Sequence, residues 1–427
     1  MSRRVLIPNL LSRRSLLGAS AASVGILGLP FRPGYASPLA ASAYKYIFVM
    51  NYGGWDPTRV FANEFSNPSV DMERLADSVT LGDLTYVSHE DRPSVDEFMH
   101  AFYERTMFVN GVLVPSVAHE NCLKISMTGS TADGRSDWPA ILASNQMSSF
   151  SLPHVVVGGP SYPGPLAGVS TRTGSSGQFE GLLSGEILEE SDLPISLPAS
   201  DLQEIMAHYM DKRVAAASMS ARFAAEAALT ESYANALSQA NELKGLLHLA
   251  DWSGGSALSD QLRLAVDLIS MGVSRCATVS FTPGWDTHTA NDTDQSNNFE
   301  ELFIELLDLQ RSLEATPGEV ADSLADETVV VVMSEMGRTP QHNDEKGKDH
   351  WPYTCMMICG PGIQGGRVIG GFDGLYYGQK IDLATAEPSD DGVDITAASV
   401  GATLLQLADI DPAEFLTGID PITGMLK

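Results

Sequence analysis

The sequence predicts an α/β fold with a mainly parallel central sheet and helices on both faces. Two observations carry this expectation. Strand-like and helix-like segments alternate along the chain, and the strands read as unbroken apolar runs such as Val329-Val330-Val331-Val332-Met333. A strand that is apolar at every position is buried on both faces, which is the situation of a parallel sheet covered by crossover helices. A third observation points to a site: acids and histidines gather just after several strands. In open α/β sheets the carboxyl ends of the strands are where ligands bind.

In order, the β-rich run Tyr44–Met50 ends in Asn51-Tyr52-Gly53-Gly54-Trp55-Asp56. Further strands are expected at Met107–Val112 and Val155–Val157. Residues 158–197, rich in Gly, Ser and Pro, read as an extended loop over the site. From about 201 to 250 the chain is rich in Ala, Met, Leu, Glu and Gln with almost no Gly or Pro, which marks a helical insert. Its Ala and Leu read as ordinary core, with a dimer contact or a lid as alternatives. A helix over Leu258–Met271 then feeds the strand Cys276–Phe281, which runs into Gly284-Trp285-Asp286-Thr287-His288. The helix Asn298–Leu313 precedes the strand Thr328–Met333, which ends in Ser334-Glu335. The strand Thr354–Ile358 and a last helix from about Ile395 to Leu407, with Asp394 as its N-cap, complete the chain.

Residues 1–43 read as a leader. Ser12-Arg13-Arg14-Ser15-Leu16-Leu17 is a twin-arginine signal, followed by a mild apolar run and by small residues suited to a peptidase. The expectation is export by the twin-arginine machinery to the periplasm or beyond, with an uncleaved anchor as the alternative. The remaining 44–427 would form one domain, with no segment as long as the roughly 20 apolar residues that span a bilayer. The leader holds five arginines and no acid, so its loss makes the formal charge of −28 more negative still. Such acidity excludes nucleic acid as a natural partner. Cys122, Cys276, Cys355 and Cys359 show no metal-binding spacing and read as buried thiols rather than disulfides.

Asp56, Asp286, His288, Glu335 and His350 form the candidate metal-ligand set. Carboxylate and imidazole ligands suit zinc, while oxygen-rich sites suit calcium, manganese or magnesium. Bringing such groups together without a cation wastes solvation and charge repulsion. Each residue also has an ordinary reading: Glu335 could pair with Arg338, and His350 could be a packed ring beside Trp351.

Gly284–His288, Val332-Met333-Ser334-Glu335-Met336-Gly337-Arg338-Thr339-Pro340 and Gly347-Lys348-Asp349-His350-Trp351-Pro352 closely resemble signature stretches of the exported bacterial family called domain of unknown function 1501. That family is placed with alkaline phosphatases and sulfatases, and the resemblance runs from about Lys45 to the C-terminus. It implies an alkaline phosphatase-like fold in which Asp56 is a metal-bridging acid, Asp286 with His288 and His350 builds one centre, and Glu335 stands where relatives carry Asp-His. Met336 follows Glu335 here, so the second centre lacks that imidazole. The nucleophile slot of the sulfatases, counted back from Met127-Thr128-Gly129, falls on His119, and no Cys-x-Pro-x-Arg pattern exists.

These readings imply metal-dependent hydrolysis of phosphate or sulfate esters, with metal-activated water attacking an anionic ester on an extracellular polymer. His119 would be a ligand or base and Ser116 a possible nucleophile, while Arg338, Lys348 and Lys124 are candidates to hold the anion. A phospho-group transferase is not separable from a hydrolase by sequence. The alternative from another class is a non-catalytic exported binding or assembly protein that keeps the fold and a structural metal.

Overall fold

The computed structural model describes residues 43–173, 200–246, 252 and 255–427. Residues 1–42 of the leader and 174–197 of the expected loop lie outside the described residues, as do 247–250 of the helical block.

The strands are β1 (Lys45–Asn51), β2 (Asp77–Leu81), β3 (Leu84–Ser88), β4 (Thr106–Leu113), β5 (His154–Val156), β6 (Ser170–Arg172), β7 (Cys276–Phe281), β8 (Thr328–Ser334), β9 (Gly337–Arg338), β10 (His350–Trp351), β11 (Tyr353–Cys359) and β12 (Arg367–Gly370). The helices are α1 (Pro93–Phe102), α2 (His119–Thr128), α3 (Trp138–Ser144), α4 (Ser200–Ser220), α5 (Ala224–Leu246), α6 (Leu258–Ser270), α7 (Asn291–Ala315) and α8 (Ala397–Leu407). Eight strands form one sheet in the order β12-β4-β11-β8-β1-β7-β5-β6. All neighbours pair in parallel except β11, which runs antiparallel to both β4 and β8. The expected mainly parallel sheet is therefore present, with one reversed strand near its middle.

Why the central strands are apolar throughout is visible in their packing. Ile47 and Val49 of β1, Val330 and Val332 of β8 and Met357 of β11 enter one core, against α1, α6 and α7. Tyr46, Phe48 and Met50, Val329, Val331 and Met333, and Met356 and Ile358 enter the other, with α3 and α8. Each fully buried aliphatic or aromatic side chain contributes roughly 1.5–3 kcal/mol relative to exposure. A strand feeding two cores can spare no polar position until it ends. The four cysteines are buried free thiols, as expected.

Three differences from the sequence reading have plain causes. The last helix starts at Ala397 and is capped by Thr396, whose hydroxyl accepts from Ser399 N while the Ser399 hydroxyl accepts from Thr396 N. This reciprocal box outcompetes Asp394 as the N-cap. Helix α7 begins at Asn291, seven residues early, because Asn291 and Gln295 are buried polar residues that serve the site rather than an amphipathic face. The helical insert is two helices, α4 and α5; Leu243 is buried in the core, but many of the insert's described apolar residues are not. Ile205, Tyr209, Met219 and Leu229 are exposed. No helix among the described residues is long and apolar enough to cross a membrane.

The sheet also sets up the site. Asn51 of β1 is level with Phe281 of β7 and with Ser334 of β8, so three adjacent central strands end on one line. β4 runs the same way and leads into α2, while antiparallel β11 starts at that edge directly after β10. Residues after β1, β4, β7 and β8 and before β11 therefore converge.

Candidate metal centre

The turn after β1 must pass close to the turn after β7, and the Gly53-Gly54 pair makes that approach possible. Gly53 has φ +127°, and a Cβ there would lie 2.9 Å from Trp285 Cβ and 3.0 Å from Asp286 N. The approach presents the Gly53 N–H to Glu335 Oε1 at 2.9 Å.

Three side chains, His119, Asp286 and His350, each offer a ligand atom within 4.8 Å of the others. His119 is the first residue of α2, Asp286 follows β7, and His350 opens β10. His350 Nε2 is 3.1 Å from Asp286 Oδ1, and His119 Nε2 is 3.5 Å from Asp286 Oδ2. His288 joins them, its Nε2 3.1 Å from Asp286 Oδ1 and 3.0 Å from His350 Nε2.

The other nitrogen of each ring faces an acceptor. His119 Nδ1 is 2.7 Å from Glu335 Oε1, His288 Nδ1 is 2.9 Å from Asp349 Oδ1, and His350 Nδ1 is 2.8 Å from the Val117 carbonyl. In the neutral rings this fixes the proton on Nδ1 and leaves the Nε2 lone pair bare. The lone pairs of His119 and His350 and the carboxylate then point at one place, with His288 Nε2 set against His350 and Asp286 and with Arg338 the donor on the carboxylate. That donor set fits a divalent cation, and the carboxylate and carbonyl partners behind the imidazoles are the outer contacts that metal-bound histidines use. Nitrogen ligands with one oxygen ligand suit a borderline metal better than calcium or magnesium.

The remaining expected residues are placed differently. Asp56 does not enter the cluster. It is fully buried, its Oδ1 accepting from Thr58 N and Oγ1, its Oδ2 from Arg59 Nε at 3.1 Å, Asn291 Nδ2 at 2.8 Å and Lys348 Nζ at 2.9 Å. Five donors, two of them cationic, occupy the oxygens that a metal would need. Burial acts to raise its pKa, but Lys348 and Arg59 outweigh it and hold the carboxyl well below the usual range. Glu335 is not one of the converging groups either: it is buried and supports His119 from behind.

Arg338 is buried and its guanidinium is spent. Nε donates to the Gly54 carbonyl at 2.7 Å, Nη1 to the Lys348 carbonyl at 3.1 Å, and Nη2 to the Gly53 and Trp285 carbonyls and to Asp286 Oδ1 at 2.6 Å. It fixes Asp286 and the two turns rather than a substrate, and it pairs with Asp286 rather than with Glu335. Antiparallel pairing of β9 with β10 sets Arg338 opposite His350. Burial works against ionisation of Asp286, but the hydrogen bond from Arg338 leads the effects that outweigh it and bring its pKa to about 2. Ser116 is turned into its own loop, its hydroxyl accepting from Ala118 N at 3.2 Å.

Sequence reasoning missed Asp349 as the partner of His288, although it stands beside His350 in the same motif. It also missed Tyr52, whose half-exposed ring lies 5.4 Å from that of His119. Asp349 carried a signal in its position; Tyr52 carried none.

The profile of a family described as protein of unknown function, DUF1501, matches residues 195–418 of this chain. The chain belongs to that family. No curated protein matches it by sequence. Among solved structures it is similar to a lipoteichoic acid synthase from Listeria monocytogenes, with 8% identity over 90% of this chain and 75% of that one and a TM-score of 0.39. It is similar to an alkaline phosphatase superfamily protein from Vibrio parahaemolyticus, with 9% identity, 86% and 66% coverage and a TM-score of 0.39. A putative sulfatase from Bacteroides thetaiotaomicron shows 8% identity, 90% and 75% coverage and a TM-score of 0.37.

Proposed function

We propose that this protein is an exported, metal-dependent hydrolase of phosphate or sulfate esters, acting on an extracellular polymer. The observation that carries the proposal is the convergence of His119, Asp286 and His350 at the ends of the central strands, with His288 Nε2 against the latter two. His119, Asp286, His288 and His350 would hold the ion, with zinc the best match to the donors. A bound ion would supply Lewis-acid polarisation of the ester oxygen and activation of water.

The chain's own residues do the rest. Arg338 holds Asp286 ionised and in place, and Glu335, Asp349 and the Val117 carbonyl orient the three rings. Helix α2 begins at His119 with no side-chain cap, so its first N–H groups and the positive end of its dipole lie beside the cluster. These suit an ester oxygen carrying negative charge. Ser116 is tied into its loop and Cys122 is buried, with its thiol pushed up by burial. The attacking atom is therefore a water oxygen, which bonds to phosphorus or sulfur as the alcohol oxygen leaves and takes up a proton.

The test is turnover by the full metal-loaded chain across panels of phosphoesters and sulfoesters, beside Asp286→Ala. Turnover lost in the variant supports the proposal; no turnover in the wild type overturns it. The second reading, a non-catalytic exported protein with a structural metal, draws on the committed state of Arg338, Lys348 and Ser116. It would show metal-dependent stability without turnover of any ester.

A further inference from the structure

We propose that the site selects singly charged tetrahedral esters, a phosphodiester or a sulfate monoester, and discriminates against the doubly charged phosphate monoester. This rests on the reading of the cluster as a cation-dependent ester site and narrows its substrate.

The inference comes from where the charges go. Three of the cations in or near the motifs are spent. Arg338 is buried on Asp286 and four carbonyls. Lys348 is buried on Asp56 and Thr58, and Lys124 pairs with Asp133 at 2.6 Å. Lys346, on the loop whose backbone pairs with Thr289, is exposed, where solvent and salt screen its charge. Acids meanwhile surround the cluster: Asp286 within it, Glu335 and Asp349 behind His119 and His288, and exposed Glu120 in the first turn of α2. A divalent ion and Arg338 do not outweigh these four.

Among the described residues, the donors left for a ligand are neutral: the uncapped N–H groups at the start of α2 and the phenol of Tyr52. Neutral donors solvate one negative oxygen well, whereas a second full charge beside these acids is repelled. A site built for a terminal phosphate would instead be expected to free a guanidinium for bidentate contact.

The experiment is calorimetric titration of the metal-loaded full chain at pH 8 with dimethyl phosphate, methyl sulfate and methyl phosphate. Methyl phosphate is doubly charged there, its second pKa being about 6. At least one singly charged probe should bind about tenfold tighter than methyl phosphate or better. Whichever of the two binds tighter names the ester atom. Glu120→Gln, an exposed change, should narrow that gap by strengthening methyl phosphate. Methyl phosphate binding as tightly as the others, no binding by any probe, or a gap unmoved in Glu120→Gln would overturn the inference. If the binding order holds but no ester turns over, the hydrolase reading fails and the ligand class stands.

Discussion

The Nε2 atoms of His288 and His350 stand 3.0 Å apart, and Asp286 Oδ1 is 3.1 Å from each. With both Nδ1 atoms committed to acceptors, two neutral rings would meet lone pair to lone pair. Only a proton or a cation between them makes that contact favourable. Protein purified without chelators is therefore expected to carry about one equivalent of divalent metal, as for a single centre. Elemental mass spectrometry checks this, with Asp286→Ala and His350→Ala expected to carry none. Stripping the ion should lower the melting temperature, because ligation at 100 times Kd stabilises by about 2.7 kcal/mol. A metal-free wild type would end the metal reading.

Asp56 gives the sharpest test of position against role. It caps the turn Pro57–Arg59 and neutralises two buried cations, Arg59 and Lys348. Asp56→Asn keeps an oxygen for the cap and removes only the charge. Breaking a buried pair in this way costs about 3–5 kcal/mol. Chemical denaturation should show that loss, while the folded variant keeps its metal. Metal lost from a variant of undiminished stability would return Asp56 to the ligand set.

Asp56 also shows how far the sequence was legible. The central strands β1, β7 and β8 and the gathering of Asp286, His288 and His350 beyond strand ends were readable, because apolar runs must be buried and polar groups cannot interrupt them. His119 at the start of a helix was readable from the Met127-Thr128-Gly129 spacing. Which carboxylates face the cation was not, since Asp56 and Glu335 follow strands just as Asp286 does. The deciding partners, Lys348 for Asp56 and His119 for Glu335, lie 292 and 216 residues away in sequence. Reversed β11 was equally hidden, because a strand with two buried faces reads the same in either direction. The exposed apolar residues of α4 and α5 were misread because composition reports helix, not burial.

Glu335 is expected to tune the ion rather than bind it. Its carboxylate takes His119 Nδ1 and the Gly53 N–H, so Glu335→Gln keeps the shape and weakens the hold on the imidazole. Loss of such an outer partner typically costs 10–100-fold in metal affinity. Competition against a chromophoric chelator should show a loss of that size with the metal still bound at saturation. Complete loss of binding, as in Asp286→Ala, would make Glu335 a direct ligand.

His119 couples the site to pH with opposite signs in the two states of the protein. Its pKa is raised chiefly by the hydrogen bond to Glu335, against burial, with the charges of Glu335 and Asp286 adding to the rise. A folded value above the unfolded one, about 6.5, means that protonated His119 contributes stability fully present below that pH. The contribution is lost as pH climbs through the folded value. Chelated protein should therefore lose melting temperature on going upward from about pH 6.5. The metal-loaded protein should gain it over the same window, because an ion must displace that proton and binds better as the ring deprotonates. Thermal scans at matched ionic strength, with and without chelator, read both slopes. His119→Gln should flatten the chelated slope; a chelated slope unchanged in that variant would assign the coupling to another group.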